Sequence, residues 1–236
     1  MPTTGSVEGN SPPAASFKNA ARVQVSFVTA AEKRVLAWFA ARMPQWVNSD
    51  HLTVLGFAAQ IMVGVSYALS RYHPQWLLWA VLFLAVNWFG DSLDGTLARF
   101  RNRQRPRYGF YVDHVIDAIG STALLVGLAL SGYMSPIVAM GLLVAFLLLA
   151  IETYLATYTI GKFHLSFFNL GPTEIRIILA IGNIALYVRG PWSHIAGHRF
   201  LLFDVGAVVA MTGMGTMFVC AAIKHTMQLY REERLS

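Results

Sequence analysis

Apolar runs of about twenty residues recur along this chain of 236 residues, and nothing else in it restricts the fold so strongly. A helical span needs roughly 20 mainly apolar residues. Six candidates meet that need: His51 to Ser70, Gln75 to Arg99, Gly109 to Ser131, Pro136 to Ile160, Pro172 to Val188 and Leu201 to Met227. The links between them are short and carry Gly, Pro and Ser, as turns do. A mean hydropathy of +0.50 agrees with an integral membrane protein rather than a soluble domain. The fold expected is therefore all-α, with six transmembrane helices. The single cysteine, Cys220, excludes an intrachain disulfide and a thiolate metal cluster.

Charge bias orients the bundle. With the N-terminus in the cytoplasm, 14 of the 18 Lys and Arg residues fall inside and only Arg71, Arg189 and Arg199 outside; Arg176, near the start of the fifth span, is not assigned. Both termini are then cytoplasmic. The net charge of +6 is explained by anionic headgroups beside these basic residues, so no nucleic-acid partner is expected. Residues 1–16, "MPTTGSVEGNSPPAAS", lack the pattern of a signal peptide and read as a disordered tail. Residues 17–46 read as an interfacial helix, with Val28, Val35, Leu36, Phe39 and Met43 on one face. Glu32 interrupts that face, either in an ion pair or to help close a polar site. Residues 47–236 form the six-helix domain, expected in a bacterial inner membrane.

Two of the spans carry acids where lipid should forbid them. Asp91, Asp94, Gly95, Ala98 and Arg99 share an arc of about 140° on the second span. Gly109, Asp113 and Asp117 form a line on the third. A short basic link makes these helices antiparallel neighbours, so their polar faces can meet. Asp117 lies about 12 Å along the axis from Gly109, below the cytoplasmic surface. Four carboxylates at low dielectric are tolerable only when protonated, paired or bound to cations. Oxygen donors suit Mg²⁺ or Mn²⁺, and two such ions can clamp a phosphoryl group. Gly95 and Ala98 remove side-chain volume beside the acids, for a ligand or for helix packing. Arg99 can bridge carboxylates or hold a phosphate.

The run Asp91-Ser-Leu-Asp94-Gly95-Thr-Leu-Ala98-Arg99, then Gly109, Asp113 and Asp117, resembles the signature of the CDP-alcohol phosphotransferase family at all eight of its positions. The resemblance covers about Phe27 to the end. It implies a membrane enzyme of phospholipid synthesis that moves a substituted phosphoryl group from a CDP-linked donor to an alcohol acceptor and releases CMP. It implies two Mg²⁺ or Mn²⁺ ions and no organic cofactor. Asp91, Asp94 and Asp113 match metal ligands, with Asp117 near the second metal and in the place of the general base. Gly95, Ala98, Arg99 and Gly109 match positions around the nucleotide. Membrane lipids and a homodimer are the partners expected. The competing reading is a divalent-cation channel or transporter; the uncharged outer halves of the second and third spans favour a blind site.

A weaker likeness joins "IETYLATYTIGKFHLSFFNLGPTEIR" and Asp113-His114 to the choline and ethanolamine phosphotransferase branch. On it Glu152, Glu174 and Arg176 become acceptor-side candidates. Glu174 equally suits the dipole at a helix start, and Arg176 either a phosphate or a carboxylate. His114 is open between assisting the base and a structural hydrogen bond. In "VNSDHLTVLG", Thr53 is the better nucleotide candidate, while Asp50 reads as a helix cap.

Overall fold

The computed structural model describes residues 29–160, 171–195 and 197–234. The tail at 1–16, the first part of the interfacial segment and residues 161–170 of the "GKFHLSFFNL" stretch lie outside the described residues. The described residues form seven helices in order, α1 (Thr29–Arg42), α2 (Ser49–Ser70), α3 (Trp76–Phe100), α4 (Pro106–Ser131), α5 (Pro136–Ile160), α6 (Pro172–Arg189) and α7 (Leu202–Glu232). Between α6 and α7 lies an antiparallel hairpin, β1 (Trp192–Ile195) and β2 (His198–Leu201), in which Trp192 pairs with Leu201 and Ile195 with His198. Gly197, at φ 80°, supplies the left-handed turn the hairpin needs.

Among the described residues five helices, α2 to α5 and α7, are long and apolar enough to cross a membrane. This is a multi-pass membrane protein. The fifth expected span corresponds to α6, which has 18 residues and carries Glu174, Arg176 and Arg189. Its length is at the lower end for a span and its charges exceed what a plain lipid-facing span carries, which sets it apart from the other five.

Helix ends follow local chemistry. Pro106, Pro136 and Pro172 open α4, α5 and α6, where a missing N–H costs nothing. Gly132, at φ 79°, closes α4. The N-cap of α2 is Asn48 rather than Asp50, and the Asn48 N–H donates to Nδ1 of His51 at 3.2 Å.

α2 lies at the centre, packed against α3 and α4; α3 also meets α6 and α1, and α5 rests on α4 and α7. The α2–α3 contact is backbone on backbone. A Cβ at Gly90 would meet the Gly56 nitrogen at 2.6 Å and the Leu52 carbonyl at 2.7 Å. The α2–α4 contact is as close, since a Cβ at Gly127 would fall 2.1 Å from the Gly64 oxygen. Two apolar clusters result. The larger holds Val63, Tyr67, Leu77, Leu84, Leu125 and Leu128. The smaller joins Leu36 and Ala40 of α1 to Leu52, Leu93 and Leu97. Along α3 the acidic stretch lies between them.

Glu32 is explained by this packing. Its Oε1 accepts from the Trp88 indole at 2.7 Å and the Thr173 hydroxyl at 2.8 Å, with the Ser92 hydroxyl at 3.4 Å. One carboxylate thus ties α1 to α3 and α6. The buried face of α1 holds Leu36 and Ala40, whereas Val35 is exposed.

The Gly56–Gly90 contact has no room for a methyl group. Gly90→Ala is expected to cost about 1–3 kcal/mol, the range for overpacking, and the check is a lowered midpoint of thermal unfolding in detergent. An unchanged midpoint contradicts the crossing.

Candidate active site

The 3.6-residue period of α3 and α4 turns their acids toward one another across α2. Asp91, Asp94, Asp113 and Asp117 line a single small cavity, together with Thr53, Gln60 and Asn87. Thr53 was expected at the nucleotide; here its hydroxyl donates to Oδ2 of Asp94 at 2.6 Å. The other Asp94 oxygen accepts from the Gly95 N–H, and the Ser49 hydroxyl donates to the Asp94 carbonyl at 2.9 Å. Asp91 accepts from the guanidinium of Arg176, NH2 to Oδ2, at 2.6 Å. Nε of the same guanidinium donates to the Asn87 Oδ1 at 2.7 Å, and the Asn87 amide donates to the Gly56 carbonyl at 2.9 Å.

Carboxylate repulsion is thereby offset on the two α3 acids by a cation and by donors. Among the described residues no three acidic, histidine or cysteine side chains are already arranged as a closed ligand set. The donor chemistry nevertheless fits a hard divalent cation. Four carboxylates and a hydroxyl face one cavity, all oxygen, with no sulfur or imidazole among its lining residues.

The small residues fall into two kinds. Gly56, Gly64, Gly90 and Gly127 are filled by a neighbouring backbone. At Gly95 a Cβ would meet only the flexible Arg99 guanidinium, at 3.4 Å, and at Gly109 nothing within 4 Å. Helix packing therefore does not account for Gly95 and Gly109. Arg99 folds back along α3 and donates to the Thr96 hydroxyl at 3.1 Å.

Ala98 lines a second, larger cavity of about 400 Å³. Its other walls are the start of α2 (Asn48, Ser49 and Asp50) and the basic link between α3 and α4. Arg101 in that link is structural, because its guanidinium donates to the carbonyls of Met43, Pro44 and Val47. Asp50 pairs with Arg105, and this hydrogen bond lifts the pKa of the guanidinium above its ordinary value.

His114 lies beside the Asp113–Asp117 line. Its Nδ1 is 2.5 Å from the Phe110 carbonyl, so that nitrogen carries the proton. Its ring packs on Phe110 at 4.1 Å and meets Tyr154 edge-on at 4.6 Å. Glu174 caps α6, accepting from the Gly171 N–H at 2.8 Å. Glu152 is directed elsewhere: its Oε1 lies 2.5 Å from Nδ1 of His225 on α7. From α5 it is Tyr154 that reaches this line, through its ring contact with His114. Asn87 and Tyr154 were missed in the sequence. Asn87 had a signal, since it stands one turn before Asp91 in an apolar run.

A sequence model described as CDP-alcohol phosphatidyltransferase matches residues 46–219, most of the chain and all four aspartates. The chain belongs to the CDP-alcohol phosphatidyltransferase family. It is thereby a member of a family of transferases of phosphate groups. It is 30% identical over 86 residues to an archaetidylinositol phosphate synthase of Pyrococcus horikoshii, covering 36% of this chain and 43% of that one. To a protein of the same name from Methanothermobacter thermautotrophicus it is 24% identical over 149 residues, covering 61% of this chain and 70% of that one. The match thus spans less than half the length of the first of these relatives. A crystal structure of the Mycobacterium tuberculosis phosphatidylinositol phosphate synthase PgsA1 with CDP-DAG bound superposes with a TM-score of 0.50 at 20% identity, covering 85% of this chain and 92% of that one. That likeness speaks to the fold.

The Glu152–His225 contact makes a separate prediction for this family member. In a double-mutant cycle of Glu152→Gln and His225→Ala, thermal unfolding is expected to give a coupling within the 0.5–3 kcal/mol range of contacting pairs. Additive effects would contradict the pairing.

Proposed function

We propose that this chain is a phospholipid-synthesising transferase that passes a substituted phosphoryl group from a CDP-linked donor to an alcohol, with release of CMP. The observation that carries the reading is the single cavity faced by Asp91, Asp94, Asp113 and Asp117, on two helices that also carry Gly95 and Gly109, which no neighbouring element fills. Two Mg²⁺ or Mn²⁺ ions held by these four carboxylates would neutralise the donor diphosphate. Thr53 holds Asp94 in place for that task. Gly95, Ala98, Arg99 and Gly109 border the nucleotide, and the space at Gly95 and Gly109 supports this.

In the reaction the acceptor oxygen bonds to the phosphorus distal to cytidine, and the bond from that phosphorus to the CMP oxygen breaks. Asp117 takes the hydroxyl proton. An alcohol is a poor nucleophile until a positioned base accepts its proton, and such a base contributes about 10²–10⁴-fold. His114, with Nδ1 committed to the Phe110 carbonyl, orients the wall next to that base. Glu174 and Arg176 stand on the acceptor side. The larger apolar cluster continues beyond the site, which supports a blind pocket rather than an ion path. Charge bias supports a site open to the cytoplasm, with α1 lying in the interface.

CDP-diacylglycerol is the donor class we favour. It is the ligand named for the Mycobacterium structure, and Glu152, on which the amino-alcohol alternative leaned, is turned to His225. The test is CMP release by purified protein with Mn²⁺, CDP-diacylglycerol or CDP-amino alcohols, and a panel of alcohols and alcohol phosphates. Failure to release CMP with every combination of donor and acceptor would defeat the reading. Asp117→Asn is expected to lower turnover by about 10²–10⁴-fold while donor binding persists; near-normal CMP release would remove Asp117 as the base. Gly95→Leu is expected to abolish donor binding, measured by titration, and unchanged affinity would place the nucleotide elsewhere.

A further inference from the structure

We propose that Arg176 and a divalent cation compete for Asp91, so that Arg176 sets the metal affinity of the site. The inference rests on the metal-dependent reading above and concerns a residue of α6 that lies 85 positions from its partner.

The guanidinium is held in a fork. Its NH2 group reaches Asp91 at 2.6 Å and its Nε reaches Asn87 at 2.7 Å, and its side chain is only 15% exposed. Asn87 is itself fixed, 4% exposed and bonded to the Gly56 carbonyl where α2 and α3 touch. The helix that carries Arg176 is fixed as well, through the Thr173 hydroxyl on Glu32. Thr173 and Arg176 are three residues apart and so share a face of α6. The arginine therefore meets Asp91 from a rigid support rather than as a mobile surface charge.

Asp91 faces the cavity shared by the other three carboxylates, and any cation held by that cavity lies close to it. A second positive charge on the same carboxylate is repelled by the guanidinium, the more so in a partly buried site. Cation binding at Asp91 must therefore work against the existing ion pair. The exchange has a second consequence. Nε remains tied to Asn87 while the NH2 edge loses Asp91 and faces the cavity. A planar guanidinium edge so released is suited to a phosphate oxygen. Metal loading and phosphate recognition are coupled through one side chain, which acts on the metal by way of Asp91.

The test is Mn²⁺ binding to the full chain in detergent, read by electron paramagnetic resonance of the free ion, with no substrate present. Arg176→Gln is expected to bind Mn²⁺ about 10-fold more tightly than the wild type, the order of effect for one lost charge interaction. Arg176→Met carries the same expectation and leaves no buried polar end. Arg176→Lys, which restores the charge, is expected to return affinity toward the wild type. A merely structural arginine would leave affinity unchanged or lower it on removal. Unchanged or weaker Mn²⁺ binding in folded Arg176→Gln and Arg176→Met, with binding lost in Asp91→Asn, overturns the competition and leaves the metal site standing. Equal binding by the wild type and Asp91→Asn overturns the role of Asp91 as a ligand, and the competition with it.

Discussion

The approach of Gly90 to Gly56 governs the rest of the molecule. Without side chains at these two positions, α3 comes within backbone contact of α2. The residue after Gly90 is Asp91, and the residues one turn to either side, Asn87 and Asp94, bond directly to α2 at Gly56 and Thr53. The site is thus assembled as a consequence of how two helices touch. A loop would have placed these acids with less accuracy; the helices hold them at a spacing that thermal motion hardly alters.

Burying acids in an apolar bundle needs a local counterweight for each. For Asp91 it is the guanidinium of Arg176, and for Asp94 a hydroxyl and a backbone N–H. A further acid on α5, Glu152, solves the same problem with His225. On the far side Asp204 accepts both the N–H and the hydroxyl of Ser135, at 2.8 and 2.5 Å, and so pins the start of α5 to α7. Each of these acids has become a joint between helices, which is how polar groups act where water cannot serve.

The acidic faces of α3 and α4 were legible because helical periodicity and a five-residue link suffice to bring them together. The glycines at 95 and 109 were legible as positions but not as open space, since packing and access look alike in a sequence. Glu152 could not be oriented. It sits on α5, apolar on nearly every side, so no polar face tells which neighbour it meets. The pairing of Arg176 with Asp91 depends on α6 docking beside α3, a long-range event with no local pattern. The hairpin at 192–201 is too short for alternation to announce it. The marginal status of α6 as a span was visible in its three charges, but its Val and Ile content concealed it.

Glu32 bears on where this protein begins as a cooperative unit. Similarity to the family starts at residue 46, and by that measure α1 is an appendage. By its bonds it is a keystone, since one carboxylate of α1 joins the Trp88 indole to the Thr173 hydroxyl. A boundary drawn where sequence similarity fades would cut away the group that fixes the N-terminal turn of α6, one turn from Arg176. The unit that domain swaps or chimaeras must respect therefore extends at least fourteen residues upstream of the recognisable one.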